Sequence, residues 1–127
     1  MYTTEKKPLL FIAGGIGITP YRALVGELLS NPKALPKEVH LLYMDSKKQF
    51  IYTEELDKAG KETPIKTSYL ANRQDLYQQI DDFVNEHSNE GEYFVAGAKS
   101  MAKSIEKALK NKGIKKNNIK MDPFIGY

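Results

Sequence analysis

A glycine-rich turn between an apolar run and a helix-start signal constrains the fold of this chain more than any other feature. The apolar run at residues 9–13 meets Gly14-Gly15-Ile16-Gly17, and Thr19-Pro20 follows at once. Glycine adopts positive φ and leaves no Cβ between the backbone and a ligand. A helix start offers unpaired N–H groups and the positive end of a dipole. The pattern therefore predicts a strand, a tight turn and a helix N-terminus suited to a phosphate group.

Apolar and polar segments alternate along the rest of the chain. Apolar runs predict strands at residues 9–13, 39–44, 65–70, 92–96 and 118–121, and apolar residues at helical spacing predict helices at residues 19–30, 53–58, 75–86 and 98–112. Strands that alternate with helices form a parallel sheet covered on both faces. The sequence therefore predicts an α/β fold, a doubly wound five-stranded parallel sheet in the order 3-2-1-4-5 with helices on both faces.

The predicted helices have apolar faces and recognisable ends. Their inward residues are Tyr21, Leu24, Val25, Leu28 and Leu29, then Leu76, Ile80, Phe83 and Val84, then Met101, Ile105, Ala108 and Leu109. Thr19 would cap the first helix, and Pro20 suits its first helical position because the N–H that proline lacks has no intrahelical partner there. Gly60 and Gly113 would end the second and last helices.

Composition excludes several classes of site. Cysteine is absent from the 127 residues, which rules out disulfides, thiolate nucleophiles and cysteine-based metal sites. His40 and His87 stand alone without metal-ligand spacing, so both are interpreted as structural and no metal is expected. The net charge of +3 is too small to indicate nucleic acid, and no apolar run reaches membrane-spanning length.

A second glycine turn follows the fourth predicted strand. Ala96-Gly97-Ala98 connects that strand to the last long helix. Ligands of parallel α/β sheets bind outside the carboxyl ends of the strands, at the point where the strand order reverses. Both glycine turns are predicted at that edge, where they would form one crevice. For each turn taken alone, a tight connection without a ligand is the alternative interpretation, and it is the less favoured one for the first turn.

The ordered set of motifs resembles a known family. Residues 12–20, Val95-Ala96-Gly97 with Met101, and the ending Phe124-Ile125-Gly126-Tyr127 are similar to the C-terminal pyridine-nucleotide domain of the ferredoxin–NADP⁺ reductase family. Residues 52–56 also resemble the family's segment after the second strand. The resemblance implies an NAD(P)H-dependent flavin oxidoreductase that passes hydride from NADH or NADPH to FAD, and electrons onward to an acceptor protein or small molecule.

The resemblance also implies a missing partner. In the family the flavin sits mainly on a separate N-terminal barrel. Residues 1–8 would then be a residual interdomain linker and residues 9–127 the NAD(P)-binding domain. An excised domain is favoured over a natural standalone half, with a cytoplasmic location or one at the cytosolic face of a membrane. Association with a membrane through other parts remains open. The chain alone should bind nucleotide but turn over poorly.

The resemblance assigns site residues by position. Those for the diphosphate and nicotinamide are Gly14, Gly15, Ile16, Gly17, Ile18, Thr19 and Pro20, and those bordering the nicotinamide from the other side are Ala96, Gly97, Ala98 and Met101. Phe124 and Tyr127 would lie near a planar ring, although a closing strand with an aromatic plug is the alternative. No residue is a certain catalytic group, but Thr19 and Tyr127 would stand near the hydride path. Ala96 replaces the cysteine of many members, and residues 98–100 lack their prolines.

Cofactor choice depends on the turn after the second strand. Asp45 could accept hydrogen bonds from both adenosine ribose hydroxyls, which favours NAD. Ser46, Lys47 and Lys48 could instead hold a 2′-phosphate, and this basic excess slightly favours NADP. A solvated, charged turn is the alternative interpretation.

Other functions remain open at this point. A lysine stripe on the last long helix, Lys99, Lys103, Lys107 and Lys110, is either a solvated face or a docking surface for an acidic electron carrier. Nucleic acid is not an expected partner. The first alternative function is a non-enzymatic nucleotide-binding subunit or sensor that works in trans with a flavoprotein. The second is a phosphate-ester enzyme, which would need an aspartate where Ala13 stands.

Overall fold

The predicted sheet is present with the predicted strand order. A computed structural model describes residues 7–15, 18–30, 38–63 and 65–121. Its elements are β1 (Leu9–Gly14), α1 (Ile18–Ser30), β2 (Val39–Met44), α2 (Thr53–Glu62), β3 (Ile65–Leu70), α3 (Arg73–His87), β4 (Glu92–Ala96), α4 (Lys99–Asn111) and β5 (Ile119–Met121). These strands form a five-stranded sheet in the order β3-β2-β1-β4-β5, and every neighbouring pair is parallel. The α/β prediction is confirmed.

Helices cover both faces of the sheet because the central strands are apolar on both sides. On one face Phe11 and Leu41 pack with residues of α1 and α2 such as Tyr21 and Leu56. On the other face Leu10, Ile12 and Leu42 pack with the inward residues of α3 and α4, namely Leu76, Ile80, Phe83, Val84, Ala102, Ile105 and Leu109. Continuous burial along β1 explains why its sequence is an uninterrupted apolar run.

Three helices begin elsewhere than predicted, and of these α4 differs by one residue, at Lys99 instead of residue 98. α1 begins at Ile18, so Thr19 lies inside the first turn and is not the N-cap, and Pro20 is the third helical residue. α3 begins at Arg73 rather than at residue 75, because the side chain of Asn72 accepts a hydrogen bond of 2.8 Å from the Asp75 N–H. Such a cap satisfies one of the free donors of the first turn.

The carboxyl ends of α2 and α4 show that only one of the two predicted glycines ends its helix. α2 runs through Gly60 to Glu62. Thr63 ends it by donating two hydrogen bonds to the Ala59 carbonyl, one from its N–H at 3.0 Å and one from its hydroxyl at 2.6 Å. Gly60 is therefore not its cap. Gly113 does end α4, with φ of 90° and a hydrogen bond of 3.1 Å from the Ile114 N–H to the Leu109 carbonyl.

The remaining differences are small. β5 begins at Ile119 because Asn118 belongs to a short 3₁₀ turn. Ala108 is only partly buried, whereas Ala102 is buried in its place. The side chains of Leu24, Val25, Leu28 and Leu29 lie outside the described residues. None of the helices in the described ranges is long and apolar enough to cross a membrane.

Candidate functional site

The two glycine turns meet at the carboxyl edge of the sheet. β1 and β4 are direct neighbours, with Ala13 opposite Ala96, so the turns that follow them lie side by side. A Cβ on Gly97 would stand 3.5 Å from the backbone nitrogen of Gly14 and would overlap the terminal methyl group of Met101. The two turns thus lie side by side at that edge, with Met101 lying across both. That they form one ligand crevice stays a prediction.

The first glycine turn leaves space at Gly15. Gly15 has φ of 55°, and no described atom lies within 4 Å of a Cβ placed on it. Thr19 is exposed in the first turn of α1. Ile18 is fully buried in the core with Phe11, so its contribution to a ligand would come from its backbone. Ile16, Gly17 and the side chain of Pro20 lie outside the described residues, as do Phe124 and Tyr127.

A cavity of about 490 Å³ lies between the amino-terminal halves of α3 and α4, beside the end of β2. Its lining is Met44, Ser46, Arg73, Leu76, Tyr77, Ser100, Met101 and Ser104. Met101 joins this cavity to the glycine crevice. The combination of apolar walls, three hydroxymethyl side chains and one guanidinium suits a ligand with a flat ring and a charged end.

The turn after β2 is held by its own aspartate. Oδ1 of Asp45 accepts a hydrogen bond from the Lys47 N–H and Oδ2 accepts one from the Gln49 N–H, both at 3.0 Å. Lys48, with φ of 57°, also donates its N–H to the Asp45 carbonyl at 3.0 Å. Asp45 therefore has a structural role that the sequence analysis did not anticipate. Of the four residues predicted to select the cofactor, only Ser46 is among the cavity-lining residues.

Sequence reasoning missed Arg73, Ser100 and Ser104 of the cavity. Arg73 is the first residue of α3 and is exposed, so its guanidinium is available to an anion. Its position just after a strand and an asparagine cap was a usable signal, because anions bind at helix starts. The two serines had no comparable signal, since nothing in the sequence marks which face of α4 borders a cavity.

A surface ion pair connects α1 and α2, which cover the opposite face of the sheet from α3 and α4. Arg22 of α1 donates from Nε and Nη2 to the carboxylate of Glu55 on α2, at 2.8 and 3.2 Å. The hydrogen bond from Arg22 lowers the pKa of Glu55. The Arg22 guanidinium also lies 4.5 Å from the ring centre of Tyr52. These contacts orient α1, the helix that follows the glycine turn.

The lysine stripe of α4 faces solvent. Lys99, Lys103, Lys107 and Lys110 are all exposed, and Nζ of Lys110 lies 3.7 Å from a carboxylate oxygen of Glu106. Exposure fits both interpretations of the stripe. Docking of an acidic electron carrier stays a prediction.

A protein-family model and two curated proteins are similar in sequence to this chain. Residues 11–107 match the family model described as the oxidoreductase NAD-binding domain. Flavohemoprotein A of Dictyostelium discoideum is 27% identical over 125 residues, which covers 94% of this chain and 31% of that protein. One subunit of the Na(+)-translocating NADH-quinone reductase of Neisseria meningitidis is 26% identical over 133 aligned residues, covering 93% of this chain and 33% of that protein. The chain thus spans about a third of the length of these curated relatives.

Solved structures share the fold. Ferredoxin-NADP+ reductase from Plasmodium falciparum superposes with a TM-score of 0.73 at 21% identity, over 93% of this chain and 52% of that one. The flavohem-like FAD/NAD binding domain of nitric oxide dioxygenase from Vibrio cholerae superposes with a TM-score of 0.72 at 17% identity, over 95% and 52%. The fold and the family model together confirm the resemblance to the ferredoxin–NADP⁺ reductase family. This chain belongs to the family of oxidoreductase NAD-binding domains.

Proposed function

We propose that residues 9–127 are the NAD(P)H-binding half of an FAD-dependent reductase, completed by an FAD-binding domain in the same or another chain. The nicotinamide, when bound, supplies a hydride for the flavin. The residues of this chain bind the nucleotide, orient its ring and exclude water from it. The single observation that carries the proposal is the approach of Gly14 and Gly97 to each other beneath Met101.

The glycine crevice fits the diphosphate and nicotinamide end. Gly15 leaves open space in a positive-φ turn, and α1 starts three residues later. Backbone N–H groups at a helix start are a natural binding site for a diphosphate. Gly97 and Met101 border the same crevice from the β4 side. A flat ring is therefore proposed to lie beside Gly97, with the diphosphate over Gly15.

The cavity between α3 and α4 fits the adenosine end. Met101 forms the wall that it shares with the crevice, and its lining includes the ring of Tyr77 and the guanidinium of Arg73. Arginine is the preferred partner of phosphate groups, because its planar fork donates two parallel hydrogen bonds. We therefore assign the selection of a 2′-phosphate, and so a preference for NADPH, to Arg73 with Ser46 rather than to the lysines of the β2 turn.

The relatives support a flavin partner. The Vibrio cholerae structure is described as an FAD/NAD binding domain, and one curated relative is a subunit of an NADH-quinone reductase. In both curated relatives the matched part is about a third of the protein. The electron acceptor of this chain is proposed only as a class, a protein or small molecule that accepts electrons from a flavin.

Calorimetric titration with NADPH and with NADH tests the proposal. We expect saturable binding, tighter for NADPH, that is lost in Gly97→Val because the added side chain would overlap Met101 and press on the Gly14 turn where the ring is proposed to lie. Gly26→Val is the matched control, because no described atom lies within 4 Å of a Cβ at this exposed position of α1. Absence of binding up to millimolar nucleotide, in a chain that unfolds cooperatively, contradicts the proposal, as does equal binding by both variants.

A further inference from the structure

Both histidines of the chain lie against one carboxylate at the amino-terminal edge of the sheet. His40 is the second residue of β2 and His87 is the last residue of α3. Nε2 of His87 forms a hydrogen bond with Oε2 of Glu38, across 49 positions of sequence. Nε2 of His40 lies 3.5 Å from Oε1 of the same glutamate. One carboxylate is thus flanked by two imidazole nitrogens.

Glu86 adds a second carboxylate to this cluster. Its Oε1 lies 3.7 Å from Nε2 of His87. One possible ligand atom each from Glu38, Glu86 and His87 lies within 4.8 Å of the others. Ligand atoms around a tetrahedral zinc ion, at bond lengths of about 2.0–2.2 Å, stand about 3.3–3.6 Å apart. Small side-chain rotations therefore suffice to place these three atoms around one ion.

One side of the cluster is held in place by the fold, and the other side is open to solvent. The Leu9 N–H donates to the Glu38 carbonyl at 2.9 Å, which ties this residue to β1. The ring of Phe83 contacts both imidazoles, with ring centres 5.6 Å from His40 and 4.6 Å from His87. The side chain of Glu86 is 66% exposed, against 15% for His87, so an ion would enter from the Glu86 side.

The second imidazole lies beside the same cluster. Nε2 of His40 is buried and has no hydrogen-bond partner in the described part of the chain. A buried polar atom without a partner is uncommon in native structures. This nitrogen lies outside the group of three ligand atoms and would have to move further toward them to serve as a fourth ligand.

We propose that Glu38, Glu86 and His87 bind one divalent transition-metal ion, with zinc as the best match and the second imidazole available to complete the site. Mixed imidazole and carboxylate donors in a four-coordinate arrangement suit zinc. Magnesium and calcium prefer oxygen ligands alone and a larger number of them. The donor set therefore selects a zinc-like ion.

The ion would act on the fold and not on the nucleotide. The cluster lies at the amino end of β2, whereas the cavity and the glycine turns lie at the carboxyl end, a separation on the order of 20 Å for six strand residues. An ion here joins the end of α3 to the start of β2. Its binding is therefore independent of the proposed reductase function and can be tested without nucleotide.

Zinc titration of the untagged, chelator-treated 127-residue chain tests the proposal at about pH 7.5, because metal binding needs deprotonated ligands and weakens as the pH falls. We expect one zinc ion per chain by calorimetry and a melting temperature that rises with zinc concentration by mass action. Cobalt(II), used as a spectroscopic probe, should give the visible absorption of a four-coordinate ion. Magnesium chloride should not compete. Absence of equimolar zinc binding overturns the proposal.

Two variants assign the ligands. Glu86→Gln should weaken zinc binding about tenfold or more, the scale seen even for partners outside the ligand set. Because that side chain is largely exposed, this substitution leaves the fold intact. His87→Gln should abolish the cobalt spectrum. Glu54→Gln, at an exposed glutamate of α2, is the matched control and should bind like the parent. Unchanged affinity in both ligand variants overturns the proposal.

Discussion

A Cβ placed on Gly14 would lie 2.6 Å from both Sδ and Cε of Met101. The methionine side chain thus occupies the space that any other residue at the end of β1 would fill. Because Met101 also lies across Gly97 and lines the cavity, it forms the common wall of the two parts of the proposed nucleotide site. Glycine suits both positions because the side chain of Met101, from α4, occupies the space that a larger residue would need.

We predict that Gly14→Ala lowers the free energy of unfolding by about 1–2 kcal/mol, because the flexible end of Met101 must move to admit the new methyl group. In the double variant with Met101→Ala, that loss should largely disappear beyond the separate cost of the truncation. A double-mutant cycle in urea measures this coupling. Strictly additive effects of the two substitutions would show that the contact does not constrain Gly14.

Arg73 and Lys47 provide a direct test of which residue recognises the 2′-phosphate. Arg73 lines the cavity, whereas Lys47 is exposed in the turn that Asp45 holds. We predict that Arg73→Gln weakens NADPH binding about tenfold or more, the value of one charged hydrogen bond, and changes NADH binding much less. Lys47→Gln should leave both affinities within about twofold. Calorimetry on the two variants measures this, and a selective loss in Lys47→Gln would favour the β2 turn instead.

The strands and their order were predictable because each central strand is buried on both faces and reads as an apolar run. The helix ends were harder to predict, because glycine occurs near them for different structural reasons. Gly60 resembles a helix end in sequence, yet it lies inside α2, where a Cβ would stand in a tight contact of 3.3 Å with the Ile65 carbonyl oxygen at the start of β3. Gly113, with its positive φ, does end its helix.

The site could be predicted only where the chain itself carries the signal. The turns at Gly15 and Gly97 were recognisable because each glycine directly follows a buried apolar strand, which marks the carboxyl edge of a parallel sheet in the sequence itself. The cavity was not, because it depends on how far apart α3 and α4 stand over the sheet. The convergence of His40 and His87 on Glu38 was equally hidden, since His87 reaches that glutamate across 49 positions of sequence.

Alkaline pH should destabilise the fold through its buried tyrosines. Burial raises the pKa of Tyr93 to about 12 and also raises that of Tyr21. A phenol in the unfolded chain ionises near 10. The stability that Tyr93 contributes is therefore complete below about pH 10 and is lost as the pH rises from about 10 to 12. Urea unfolding across this interval should show a steady fall in the free energy of unfolding.

The variant Tyr93→Phe separates ionisation of the Tyr93 phenol from other causes of unfolding at alkaline pH. It loses the hydrogen bond from the Tyr93 hydroxyl to the Ser88 carbonyl, 2.8 Å long, and so should be about 1 kcal/mol less stable than the parent near neutral pH. That difference should shrink or reverse toward pH 12, because the variant has one fewer buried phenol to ionise. Tyr52→Phe is the control, and a parallel fall in all three proteins would contradict the assignment to Tyr93.

Asn89 ties the turn after α3 to the connection between α4 and β5. Its Nδ2 donates to the Gly113 carbonyl at 3.0 Å, and its Oδ1 accepts from the Lys115 N–H at 2.8 Å. The side-chain amide of Asn118 donates in turn to the Asn89 carbonyl at 2.9 Å. One polar side chain thus holds two segments at the amino edge of the sheet, well away from the glycine turns.

We predict that Asn89→Ala lowers the free energy of unfolding by about 1–2 kcal/mol, because it removes two hydrogen bonds to exposed backbone groups, each of which contributes about 1 kcal/mol or less. Nucleotide affinity should not change at temperatures where the variant is folded, since the network lies at the opposite edge from the proposed site. Asn117→Ala, at an exposed neighbouring position, is the matched control. Thermal unfolding and amide exchange at Lys115 measure the effect. Equal melting temperatures for the two variants would show that these hydrogen bonds do not hold the edge together.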